Sequence, residues 1–127
     1  MMLRLKSIII ILAFFTIAGG VYAEERIITP ETVKSWLDKK KDFVLIDVRP
    51  PESFDEEHIP GAVNVPADDI AKVSKFKTKT IVLYCWSEGL SSLMAKDLKG
   101  YDVYVLKDGI DGWSEKGYKT LKRTTTH

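Results

Sequence analysis

Three short runs of the chain are largely apolar without alternation: residues 43–46, 80–84 and 101–106. A strand with one solvated face alternates apolar and polar residues, so unbroken runs of this length predict strands buried on both faces. Between them the spacing becomes helical. Val33, Trp36 and Leu37 recur at i, i+3 and i+4, and Thr29-Pro30-Glu31 supplies a hydroxyl cap, a proline at the first helical position and an acid in the first turn. This predicts a helix ending near Lys40. Residues 91–99 predict a second helix with Leu93, Met94 and Leu98 inward, closed by Gly100. Residues 109–116 predict a third, with Trp113 packed down and Gly117 as its cap.

The connecting segments are marked by prolines. Pro50-Pro51 stops the first strand after Asp47-Val48-Arg49, because proline cannot donate to a ladder. Residues 51–56 have room for one or two helical turns, His58-Ile59-Pro60-Gly61 for a turn, and residues 62–65 for a brief strand stopped by Pro66. A weak helix is expected over 68–73. Residues 119–127 carry little apolar pattern and are expected to form a loose tail. Strands alternating with helices predict an α/β domain with a mainly parallel central sheet flanked by helices. In such sheets ligands bind at the carboxyl ends of strands. Two polar clusters fall there: Asp47 with Arg49, and Cys85 with the residues after it.

The N-terminus does not belong to this pattern. Arg4 and Lys6 precede an apolar run over 8–18, followed by Gly19-Gly20-Val21-Tyr22-Ala23. A short basic region, an apolar stretch and small residues before a cleavage point predict a signal peptide over 1–23. A single domain then spans 24–127, with its core about 27–117. The apolar run is shorter than the roughly 20 residues of a membrane span, although an uncleaved anchor is the alternative reading. Cleavage implies an exported protein, periplasmic or secreted, with no stable membrane insertion.

Without Arg4 and Lys6 the chain carries 17 basic against 18 acidic side chains, a balance that gives no reason to expect nucleic acid as a partner. With two histidines and one cysteine the chain offers no convincing metal site, and no residue marks a cofactor. A single cysteine cannot form a disulfide within the chain. In an oxidising compartment a free thiol is a liability, which suggests use; a buried inert cysteine is the other reading.

Cys85 leaves the second apolar run and is followed by Trp86-Ser87-Glu88-Gly89-Leu90-Ser91. A short strand-to-helix turn of this kind can point successive backbone N–H groups inward, forming an anion nest at the positive end of the helix. Such a nest favours the thiolate, which is the nucleophile. Gly89 supplies backbone freedom, and Ser91 is a candidate helix cap. Glu88 opposes the nest if it points inward and is screened if it faces water. Trp86 can form an apolar lip or simply cover the loop.

Asp47-Val48-Arg49, then Glu52 and Phe54, the stretch His58-Ile59-Pro60-Gly61-Ala62-Val63-Asn64-Val65-Pro66, Ile81-Val82-Leu83-Tyr84-Cys85, and Gly109-Ile110 with Trp113 together resemble a rhodanese-like domain. The resemblance implies a three-layer fold and sulfane-sulfur transfer. Cys85 would be the nucleophile that becomes a persulfide, and Trp86, Ser87, Glu88, Gly89, Leu90 and Ser91 the loop that cradles it. Asp47, Arg49, Glu52 and His58 would mostly brace the surrounding loops. The implied partners are a small sulfur donor, thiosulfate or polysulfide, and a thiol or cyanide acceptor, with a protein partner as a further class.

The loop also departs from that pattern. Active members commonly carry arginine where Leu90 stands, and an uncharged residue where Glu88 stands. Leucine neither stabilises a thiolate nor holds an anionic donor. A catalytically degenerate module that binds a partner without turnover is therefore the alternative function. Phosphatase chemistry on a cysteine loop needs an arginine near its end, and none occurs between Cys85 and Lys96.

Overall fold

The structure, a computed structural model, describes residues 25–124. The segment read as a signal peptide and the end of the tail lie outside the described residues. Seven strands and four helices follow in order: β1 (Ile27–Ile28), α1 (Pro30–Asp38), β2 (Val44–Asp47), α2 (Pro51–Glu56), β3 (Glu57–His58), β4 (Val63–Asn64), β5 (Thr80–Tyr84), α3 (Gly89–Lys96), β6 (Asp102–Leu106), α4 (Gly109–Glu115) and β7 (Leu121–Lys122). A 3-10 segment, Ala67–Phe76, precedes β5.

Five strands form one parallel sheet in the order β1-β6-β5-β2-β4. The runs that do not alternate in sequence do alternate in space, since successive side chains on a strand point to opposite faces. Val82 and Tyr84 join Val33, Ile110 and Trp113 beneath α1 and α4. Ile81, Leu83 and Cys85 join Val73, Leu98 and the half-buried Leu90 and Met94 on the other face. This explains the continuous apolar character: both faces are covered. It also assigns Cys85 a side. Its thiol points beneath α3, in register with Leu83.

Thr29 caps α1 as expected, its Oγ1 accepting from Thr32 N–H at 3.2 Å. The helix after Cys85 departs from expectation. It begins at Gly89, two residues earlier than the sequence suggested, and ends at Lys96. Its inward face is Ser91, Met94 and Ala95, so Leu93 falls on the opposite side and is 56% exposed. A leucine was expected inward there. A buried serine takes the place on the inner face, because that serine meets the cysteine.

The expected loose tail is also corrected. Leu121–Lys122 pairs antiparallel with Glu57–His58, so His58 lies in a strand rather than a turn. Thr120 Oγ1 donates to Glu57 Oε2 at 2.7 Å, and Trp113 Nε1 donates to Lys119 O at 2.9 Å. These are bonds to backbone and polar groups, which leave no apolar periodicity to read. Leu83→Ala, at a fully buried position, is expected to lower stability by about 2–5 kcal/mol in urea unfolding. Leu93→Ala is expected to stay within about 0.5 kcal/mol of the parent.

Candidate active site

Parallel pairing places Tyr84, the last residue of β5, opposite Asp47, the last residue of β2, and Cys85 follows directly. The cysteine is 2% exposed. Its Sγ lies 3.4 Å from Ser91 Oγ, and that hydroxyl also donates to Glu88 O at 3.0 Å. Ser91 is therefore not the helix cap the sequence suggested; it stands inside α3 with its hydroxyl against the thiol.

The loop is held by its carbonyls. Ile110 N–H donates to Cys85 O and Asp111 N–H to Trp86 O, each at 3.0 Å, while Ser92 N–H donates to Glu88 O at 2.8 Å. Among the described residues, the amides of Trp86 through Ser91 donate to no backbone carbonyl. They are the orphan donors of a helix start and the turn before it, available to a negative charge.

Gly109 makes this docking feasible. Its φ is +56°, and a Cβ there would overlap Ser87 O and come within 2.5 Å of Cys85 O. The residue before it, Asp108, has φ +59°, and its N–H donates to Glu88 Oε1 at 2.9 Å. Glu88 thus adopts neither of the two orientations considered from sequence. It ties the Cys85 loop to the turn that opens α4. Gly109 stood in the sequence as part of a motif, but its contact with a loop 20-odd residues earlier became visible only in three dimensions. The local signal was the Asp108-Gly109 pair, a turn dipeptide between a strand and a helix.

Asp47 and Arg49 form a buried pair. Arg49 Nε and Nη2 donate to the Asp47 carboxylate at 2.8 to 3.1 Å, Arg49 N–H adds a bond at 2.9 Å, and Nη2 also reaches Glu57 O at 2.6 Å. Burial disfavours the guanidinium charge, but the carboxylate outweighs it and the Arg49 pKa is raised. Asn64 Nδ2 donates to both Asp47 O and Arg49 O, at 2.9 and 3.0 Å. His58 Nδ1–H donates to Phe54 O at 2.8 Å, and its ring stacks on Phe54. These bonds tie together the segments beside the Cys85 loop. Glu52 is exposed on α2, and no hydrogen bond brings it to the loop. Trp86 is 44% exposed, and Leu90 is half-buried against the apolar layer around Cys85. Cavities of about 350 and 360 Å³ lie elsewhere, and Cys85 lines neither.

A family model described as the rhodanese-like domain matches residues 29–116. The chain belongs to the rhodanese-like domain family. A thiosulfate sulfurtransferase of Coxiella burnetii is 33% identical over 87 residues, covering 64% of this chain and 81% of that protein. A tRNA sulfurtransferase of Desulfurococcus amylolyticus is 35% identical over 71 residues, and this chain spans only 14% of its length. Among solved structures, a thiosulfate sulfurtransferase from Pseudomonas aeruginosa matches at TM-score 0.72 with 21% identity, covering 80% of this chain and 21% of that one. The rhodanese-like domain of an Anabaena protein matches at TM-score 0.69 with 24% identity, covering 83% and 87%. The α/β fold with its mainly parallel sheet is thus that of the rhodanese-like domain.

Gly109→Ala in this rhodanese-like domain combines a left-handed backbone with overlap against loop carbonyls. It is expected to cost at least about 2 kcal/mol and to change the rate at which iodoacetamide alkylates Cys85 in the folded protein. Tyr84 offers a pH test. Its hydroxyl is buried beside Asp47 and accepts from Ile59 N–H at 3.1 Å. Burial first, and the Asp47 charge second, push the phenol well above its ordinary range. The neutral form is favoured in the folded state, so this contribution is complete below about pH 10 and is lost as pH rises past that value. Tyr84→Phe should flatten the fall in stability between about pH 10 and 12, read by urea unfolding at a series of pH values.

Proposed function

We propose that this rhodanese-like domain accepts sulfane sulfur as a persulfide on Cys85 and passes it to a thiol or cyanide. The observation that carries the reading is a lone thiol at the start of a loop whose six backbone amides, Trp86 through Ser91, donate to no carbonyl. In the first step the Cys85 thiolate attacks the outer sulfur of a donor such as thiosulfate or a polysulfide. The new S–S bond forms, the donor's S–S bond breaks, and its electron pair leaves on sulfite or the shortened polysulfide. In the second step the acceptor attacks the terminal sulfur and the pair returns to Cys85. The amides and the start of α3 stabilise the anionic sulfur in both states, and Ser91 Oγ lies 3.4 Å from Cys85 Sγ.

The N-terminal pattern supports an exported chain, periplasmic or secreted, that begins at Glu24. A second reading, a domain that binds a partner without turnover, is favoured by one observation: the loop position of Leu90 packs into the apolar layer and brings no cation to the thiol.

Intact-mass spectrometry after treatment with polysulfide and with thiosulfate separates the two. Addition of one sulfur in the parent, absent from Cys85→Ser, is the expected result. An unmodified thiol with every donor favours the binding module. The same spectrum of protein recovered from the exporting cell reads whether the chain starts at Glu24.

A further inference from the structure

Between Cys85 and Ser91 the loop holds a single charged side chain, Glu88. Its carboxylate does not swing in solvent, because Oε1 accepts from Asp108 N–H at 2.9 Å. The bonds that dock the loop, to Ile110 N–H and Asp111 N–H, bring the start of α4 against it, and with it two exposed acids, Asp108 and Asp111. Lys107 is the one cation in that turn. Arg49, the other cation near these strand ends, is committed to Asp47 and to Glu57 O. Positive potential at the thiol therefore comes from amide dipoles, which act at short range. The carboxylates are full charges, felt across a Debye length of about 8 Å at physiological salt. In the same loop the Trp86 indole, 44% exposed, offers an aromatic face of the kind that attracts cations.

We infer that Glu88 is a specificity-determining residue, which sets the site against anionic sulfur donors and toward carriers bearing a positive charge near the sulfane sulfur. The inference rests on the reading that Cys85 accepts sulfane sulfur. The carrier class is a persulfide, R–S–SH, whose R group holds an ammonium, as a small amine or as a basic segment of polypeptide. The Cys85 thiolate attacks the outer sulfur, the R–S–SH sulfur–sulfur bond breaks, and R–S⁻ leaves with the electron pair while Cys85 retains –S–SH. The amides hold the transferred sulfur, while Glu88 and the Trp86 face hold the ammonium.

Two donors of similar length and opposite charge test this: the persulfides of cysteamine and of 3-mercaptopropionate. Each rate of Cys85 loading is read by mass and divided by the rate of the same donor with a free cysteine derivative. The cationic donor is expected to load the parent about tenfold faster at low salt, a differential of about 1.4 kcal/mol, and the ratio should shrink as salt rises. Glu88→Gln, which keeps an acceptor for Asp108 N–H, should reduce the ratio several-fold, and Asp111→Asn, at an exposed position, should move it the same way. Equal loading by the two donors, faster loading by the anion, or a ratio that neither substitution changes overturns the inference while leaving sulfur transfer intact. No loading from either donor overturns the sulfur-acceptor reading itself, and this inference with it.

Discussion

The buried pair of Asp47 and Arg49 is the interaction on which the functional end of the sheet depends. Taking a carboxylate and a guanidinium out of water costs several kcal/mol per ion, and mutual attraction offsets this only when geometry is good and the remaining donors and acceptors are filled. Here they are. The guanidinium meets the carboxylate with two nitrogens and also reaches Glu57 O, while the Arg49 amide returns to the same carboxylate. No buried side-chain nitrogen or oxygen among the described residues lacks a partner. The pair joins the end of β2 to β3, and Asn64 joins it to β4. Val48 N–H then bonds Tyr84 O at 3.0 Å, so the strand end from which Cys85 departs is held by the same cluster.

From that platform the loop is pinned on its far side by α4. The Cys85 and Trp86 carbonyls are turned toward the first turn of α4, which leaves the following amides without backbone partners. Backbone polarity is thereby sorted: the Cys85, Trp86 and Glu88 carbonyls accept, while the amides of Trp86 through Ser91 donate to no carbonyl. This sorting requires close approach, and close approach requires glycine at position 109. The seating of the Cys85 loop thus depends on an atom that is absent, the Cβ of Gly109, as much as on any side chain present. Opposing the amides is the carboxylate of Glu88, fixed by Asp108. The unpartnered amides are short-range dipoles, whereas the carboxylate is a full charge with a longer-range field.

Much of this was legible in the residues. Unbroken apolar runs marked β2, β5 and β6 because a sheet covered on both faces requires them, and Thr29-Pro30 marked the start of α1 because orphan helix donors require a cap. Cys85 stood out as a lone thiol at one strand end, and Asp47 and Arg49 as a polar cluster at another. Leu93 and the tail were misread for one reason. Apolar spacing reports the average preference of a segment, whereas Ser91 on the inner face of α3 and the β3–β7 pairing are polar contacts that no hydrophobic pattern records.

By itself, then, the sequence determined the layers, the places of the main strands along the chain and the position of Cys85 at a strand end, because each follows from local periodicity and turn chemistry. Only the tertiary structure decided how the Cys85 loop is held. Glu88 turns to Asp108, Ser91 turns to Cys85, and Gly109 admits Ser87 and Cys85. The Glu88 and Gly109 contacts join residues distant in the chain, and all three are set by the packing of α3 and α4 on opposite faces of the sheet at the end of β5. Spacing along a sequence carries no information about that packing.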